Sequence, residues 1–410
     1  MHRRHFLSFI GSMTTSTLTT LTGCNMSRKR NIKSFGKTYG YLQDPARRTR
    51  ETGDALLTIE NAEFSGVDFQ GQTWRNVKFV DCDFAGGYEI KLERLEKSLF
   101  ENCKFVGIHS FGDMVDVRLF RCAVGGESYL MGYSDTKRLI FEQCNFIGTK
   151  SDRNHWGAVG GYGEAEFVQC KAKWFDLSGH MKLTIIDCEL ESVSSKHDPR
   201  EVEGRHAAVL IERSKLLNSF DMIATNIQSF TIRDTVIDGT LDLSNATVKG
   251  DILIERVRGG SVKAIVRGAQ RLVVKSSRFT PSVGVEFEFK LASNDAREVL
   301  IEDTSILGEN LVADIGGGPQ TLSTIFRNTQ ITELDLQYIH TAYLLLQGLQ
   351  ADRVLLSDAR IGQLEFSMAN FARSLDLSGT QVKSFKQTGG TALRKFGGLK
   401  IDGSNIKLPG

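Results

Sequence analysis

Apolar residues recur along this chain in a frame of about twenty residues, a period that marks a solenoid or array. Phe79, Phe100, Leu119, Phe141, Phe167 and Ile185 each stand three positions before a cysteine: Cys82, Cys103, Cys122, Cys144, Cys170 and Cys188. Two positions after those cysteines come Phe84, Phe105, Val124, Phe146, Ala172 and Leu190. The frame continues with Ser214, Thr235, Val257, Ser277, Thr304, Thr329, Leu349, Ala369 and Ser404 in the cysteine slot. Before these stand Ile211, Ile232, Ile254, Val274, Ile301, Phe326, Leu346, Phe366 and Ile401. Most slots are 18 to 27 residues apart, room for one supersecondary unit each. Such a unit cannot bury its own apolar face, so stacking must make the core.

A second strand alternates apolar and polar residues between the slots, as in Leu241-Asp242-Leu243-Ser244-Asn245 and Leu375-Asp376-Leu377-Ser378-Gly379. That period of two is a strand signal, and the small polar residues after it supply a bend. Near the start the period shortens to five, with Phe64, Phe69, Trp74, Phe79 and Phe84 at the centres. These steps resemble pentapeptide-repeat proteins over residues 62 to 86, and the longer rungs resemble right-handed parallel β-helix proteins. The fold expected is all-β: one right-handed parallel β-helix of about fifteen rungs over residues 58–410. The five prolines (Pro45, Pro199, Pro281, Pro319, Pro409) fall outside the repeated strands, where each would delete a ladder hydrogen bond.

The N-terminus carries an address. Arg3-Arg4-His5-Phe6-Leu7 resembles a twin-arginine export signal, and Leu21-Thr22-Gly23-Cys24 resembles a bacterial lipobox. The resemblance implies removal of residues before Cys24 and lipidation of its thiol, which anchors the protein to a membrane of the cell envelope. Asn25, in place of the aspartate linked to inner-membrane retention, favours the outer membrane in a Gram-negative cell. Residues 25–57 read as a basic tether and N-terminal cap, carrying Arg28, Lys29, Arg30 and Lys33 among others.

Composition narrows the chemistry. A net charge of +2 over 410 residues argues against a nucleic-acid partner. Gly36-Lys37-Thr38 has Asn31 where a phosphate loop needs its first glycine, so no nucleotide cofactor is expected. The slot cysteines form a column instead of converging as metal ligands do, and serine, threonine and alanine replace them, so free buried thiols and no metal are expected.

Two candidate binding surfaces follow. Residues 149–164 carry Asp152, Arg153, His155 and Trp156; residues 193–206 carry His197, Asp198, Glu201 and His206; His180 lies on the rung between. If these loops leave equivalent corners they project together, and a tryptophan beside histidines and carboxylates suits a glycan-binding groove. The second surface is a stripe four positions before the slot, where Leu210, Leu253, Val273, Leu300, Ile325 and Leu345 occupy an outward position. It implies a cover: the insertion 280–298, a partner protein or a second copy. Asp176, Asp221, Asp242, Asp335 and Asp376 recur on one outer face and read as turn residues, with a cation strip as the alternative. The function expected is a lipid-anchored, non-catalytic binding or scaffold solenoid for a protein partner or an envelope polysaccharide. Alternatives are a β-helix polysaccharide lyase or hydrolase, for which no clear aspartate pair is found, and an envelope immunity or inhibitor protein.

Overall fold

The computed structural model describes Lys33–Ser34 and residues 55–408, apart from 65–71, 85–89, 132–135, 149–157, 161–162, 177–180, 195–206, 224, 282–286, 294, 309–311, 390–392 and 394–395. Those residues form a single parallel β-solenoid, with rungs close to the expected number. One face is an unbroken parallel ladder from Leu57–Glu60 to Gln381–Thr388. The other, after the slot, runs from Ala62–Glu63 to Leu399–Lys400.

The register reproduces the repeat frame residue by residue. Phe79 pairs with Phe100, Phe100 with Leu119, Leu119 with Phe141, Phe141 with Phe167 and Phe167 with Ile185. The column continues through Ile211, Ile232, Ile254, Val274, Ile301, Phe326, Leu346 and Phe366. All of these side chains are buried, because strand alternation points them into the coil. In the phenylalanine-rich rungs the rings stack along the axis: Phe79 on Phe100 at 4.8 Å and Phe84 on Phe105 at 4.9 Å.

Where the slot holds Cys, Ser or Thr, the side chain does more than fill a small volume; Val257, Leu349 and Ala369 fill the same slot without a donor. The Cys82 thiol donates to the Val80 carbonyl at 3.4 Å, and Ser214, Thr235, Ser277 and Thr304 hydroxyls do the same at 2.7 to 2.9 Å, each to the carbonyl two residues back. Some also accept from the rung below: the Ser277 hydroxyl takes the Val257 N–H at 3.1 Å. Cys, Ser and Thr therefore share a function here, since each is a small donor for a carbonyl at the bend. All six described cysteines are free and buried. Burial, with the hydrogen bonds to the Cys103 and Cys144 thiols, pushes the Cys122 thiol well above its ordinary range, so it stays protonated and inert.

Two expectations change at the edges. Residues 280–298 do not cover the apolar stripe with their strand: Phe289–Ser293 enters the other face, between Val262–Val266 and the Ala313–Gly317 stretch. At the C-terminal end Ile401 is not inward but 38% exposed, because the ladder has ended. Closure comes from a longer segment than the last three residues. Phe396, Leu399 and Leu408 pack against the core, Ile406 is buried, and the Asn405 amide pairs with both the N–H and the C=O of Val382 at 2.8 Å. A side-chain amide thus replaces the missing next rung at that point. Among the described residues no helix is long and apolar enough to cross a membrane.

Candidate functional site

The feature that organises the surface is a corner. The residue before every slot from Cys82 to Ala369 has a left-handed backbone, for example Asp81, Asn102, Asp187, Asp234, Asp303 and Asn328 at φ between 48° and 54°. This conformation turns the chain sharply between the two faces. The corner residue, the slot residue and the residue after it line an open gap together. Stacking repeats the gap at each rung, ~4.8 Å apart, and leaves an open trough along the solenoid axis.

One stretch of the trough is charged. It is lined by Lys171, Asp187, Glu189, Arg213, Lys215 and Asp234, and continues past Arg256 and Arg258. Its ions pair across rungs: Arg213 donates to both Asp187 oxygens at 2.8 and 3.2 Å, and Arg256 to both Asp234 oxygens at 2.6 and 2.9 Å. The Arg256 guanidinium holds the Asp234 carboxyl below the usual carboxylate range. These exposed ladders fix the corner side chains more than they stabilise the fold.

Further along, amide and hydroxyl groups dominate the lining, with Asp303 the one charged residue among them. An open trough of about 670 Å³ is lined by Asp303, Ser305, Asn328, Gln330, Gly348, Gln350 and Met368. Ser305, Gln330, Gln350 and Asn370 are in register on consecutive rungs. The Gln330 amide donates to Gln350 at 3.3 Å and the Asn328 amide to Asp303 at 3.0 Å. Each amide offers both a donor and an acceptor, so this stretch presents alternating hydrogen-bonding capacity at rung spacing.

The sites expected from sequence fall as follows. Arg3, Arg4, Cys24, Asp152, Arg153, His155, Trp156, His180, His197, Asp198, Glu201 and His206 lie outside the described residues. The described strand ends beside them lie at different points of the turn. Ala158, where the first loop rejoins, is in register with Asp176, and Asp176 with Ser194, after which the second loop departs. The aspartates do serve turns: Asp242, Asp335 and Asp376 each accept the N–H two residues on, at 2.8 to 3.0 Å.

The apolar stripe forms one ladder, with Leu210, Thr231, Leu253, Val273, Leu300, Ile325 and Leu345 in successive register. Val273, Leu300 and Leu345 are buried, while Leu210, Leu253 and Ile325 are half-buried. Columns of ion pairs flank it: Arg271 with Asp251 and Glu298 on one side, Glu302 with Lys275 and Arg327 on the other. Long charged side chains of this kind lay their methylene stems along apolar neighbours. The Arg327 hydrogen bond at 2.6 Å, joined by Lys275 at 3.3 Å, lowers the Glu302 pKa below its ordinary value. A carboxylate with a depressed folded pKa contributes stability above the unfolded pKa and loses it as pH falls through the folded one. Glu302→Gln is thus expected to cost under about 1 kcal/mol at neutral pH. It should also shrink the fall in melting temperature between about pH 6 and pH 3, read by calorimetry.

The corner trough was not among the sites expected from sequence. Its signal was present in the recurring Asp, Asn and Gly before the slot, residues that favour the left-handed region. No family model, curated protein or solved structure matches this chain.

Proposed function

We propose that this chain is a non-catalytic binding solenoid of the bacterial envelope, anchored by lipid on Cys24, that takes an extended polysaccharide along its corner trough. The observation that carries the reading is the run of in-register polar side chains from Asp303 to Gln350 lining an open trough parallel to the axis. A polysaccharide advances by one ring over a length comparable to the strand spacing, so its hydroxyls meet the same amide pattern at each step. Hydroxyls donate and accept, as side-chain amides do. The burial of Val273, Leu300 and Leu345 within the solenoid leaves less apolar surface for a protein partner than the stripe implied, which favours the trough.

The test is isothermal titration of the protein with glycan strands released from bacterial peptidoglycan, with dextran as the unrelated control. The expected outcome is saturable binding that weakens about tenfold or more in the Gln330→Ala/Gln350→Ala double variant. Absence of binding, or binding the double variant retains in full, overturns the trough as the site. The anchor is tested separately: fatty-acid labelling in cells should be lost in Cys24→Ala.

A further inference from the structure

The amide-lined stretch of the trough ends at a residue whose identity the corner pattern does not explain. Gly348, Met368 and Gly389 follow one another on consecutive rungs, with φ of 62°, 53° and 68°. Their alignment is carried by the pairing of Gln347 with Ser367 and of Ser367 with Thr388. Long side chains elsewhere in this column bond laterally along it: Arg213 with Asp187, Arg256 with Asp234, Gln143 with Gln169. Those contacts offset the cost of holding a side chain in the left-handed region. Met368 has a thioether, at best a weak acceptor, and a glycine on the rung at either side. It is 61% exposed. A flexible apolar side chain therefore stands exposed at the edge of the trough, between two glycines of the corner column.

We propose that Met368 seats one sugar ring of the bound glycan, its methylthio group against the apolar C–H face of the ring, while the notch over Gly348 admits the ring edge. The inference rests on the trough being a polysaccharide site. The surrounding chemistry fits it: Asn328, Gln330 and Gln350 line the same cavity and offer hydrogen bonds to the ring hydroxyls. Thioethers are soft and adapt to irregular apolar surfaces, which suits a ring face that is neither flat nor fully apolar. Gly348 matters for space as well as conformation. A Cβ there would stand 2.9 Å from the Asn328 side-chain oxygen, so any larger residue closes the notch.

The experiment is oxidative footprinting with dilute hydrogen peroxide, read by peptide mass spectrometry, in the presence and absence of peptidoglycan glycan strands. Met368 should oxidise readily in the free protein and be protected by the glycan, with buried Met114 and Met222 as internal references. Met368→Ala is expected to weaken binding about tenfold. Gly348→Asn should do the same, because this column already accepts Asn102 and Asn328 in the left-handed conformation and the variant folds with the notch filled. If the glycan binds wild type, loses affinity in Gln330→Ala/Gln350→Ala, yet leaves Met368 unprotected and binds Met368→Ala and Gly348→Asn normally, the ring seat is wrong and the trough reading stands. If the glycan does not bind wild type at all, both fail together.

Discussion

Phe100→Ala is expected to destabilise the N-terminal rungs by about 3 to 5 kcal/mol, the range for emptying a buried phenylalanine site. The ring is fully buried and lies at the centre of an aromatic column. It stacks on Phe79 with planes 9° apart, and meets Phe105 and Phe84 edge-on at 5.3 and 5.5 Å. Phe111 lies 5.7 Å away. The cavity cannot easily collapse, because the neighbouring rings are pinned by strands whose axial spacing is set by backbone hydrogen bonds. A solenoid couples each rung mainly to its neighbours, so the loss should remain local. The expected result is a melting curve that splits, with the rungs around Phe79 to Leu119 opening before those beyond Ser214. Hydrogen exchange would show that order directly. A single transition, shifted by a degree or less, would mean that these rungs repack around the vacancy.

The inward side of this fold was readable because it obeys one constraint repeated many times. Phe79, Phe100 and Leu119 must all be apolar for the same reason, and their in-register pairing follows from the even spacing of the slots. The corner was harder to read. A left-handed residue is signalled by Asp81, Asn102 or Gly348, but the same column also holds Arg121, Arg213, Arg256 and Met368. Lateral ion pairs support the two of those arginines that face Asp187 and Asp234, and those partners are a full rung away in sequence. The trough thus arises between residues about twenty positions apart and has no local motif. What covers the stripe is illegible for a related reason. Leu300 is outward by strand alternation, and its burial depends on side chains of its neighbouring rungs and columns, which alternation along one strand does not report.

Gly239→Ala is expected to be the most damaging single-methyl change of those available in the central rungs, at about 3 kcal/mol or more. Gly239 lies between Ile237, paired with Leu216, and Thr240, paired with Ser219. At this bend the chain passes so close to the rung below that an added Cβ would be 1.6 Å from the Asn218 carbonyl oxygen and 2.7 Å from its Cα. A methyl group attached to Cα has no rotamer through which to escape, and the atoms it meets are backbone. Relief requires the two rungs to separate, which breaks the Ser219–Thr240 and Phe220–Leu241 pairings on one side. The next rung feels the shift too, since Gly260 also stands close to Gly239, where a Cβ would lie 2.3 Å from the Gly239 oxygen. Two adjacent close approaches mean that backbone movement at one rung cannot be absorbed at the next. Gly239→Ala should therefore expose the amides of Thr240 and Leu241 to rapid exchange and lower the midpoint of unfolding of the central rungs. Gly125→Ala is the control, because a Cβ there meets nothing nearer than 3.8 Å. If the two variants melt alike, the close approach at this bend is not a constraint on the fold.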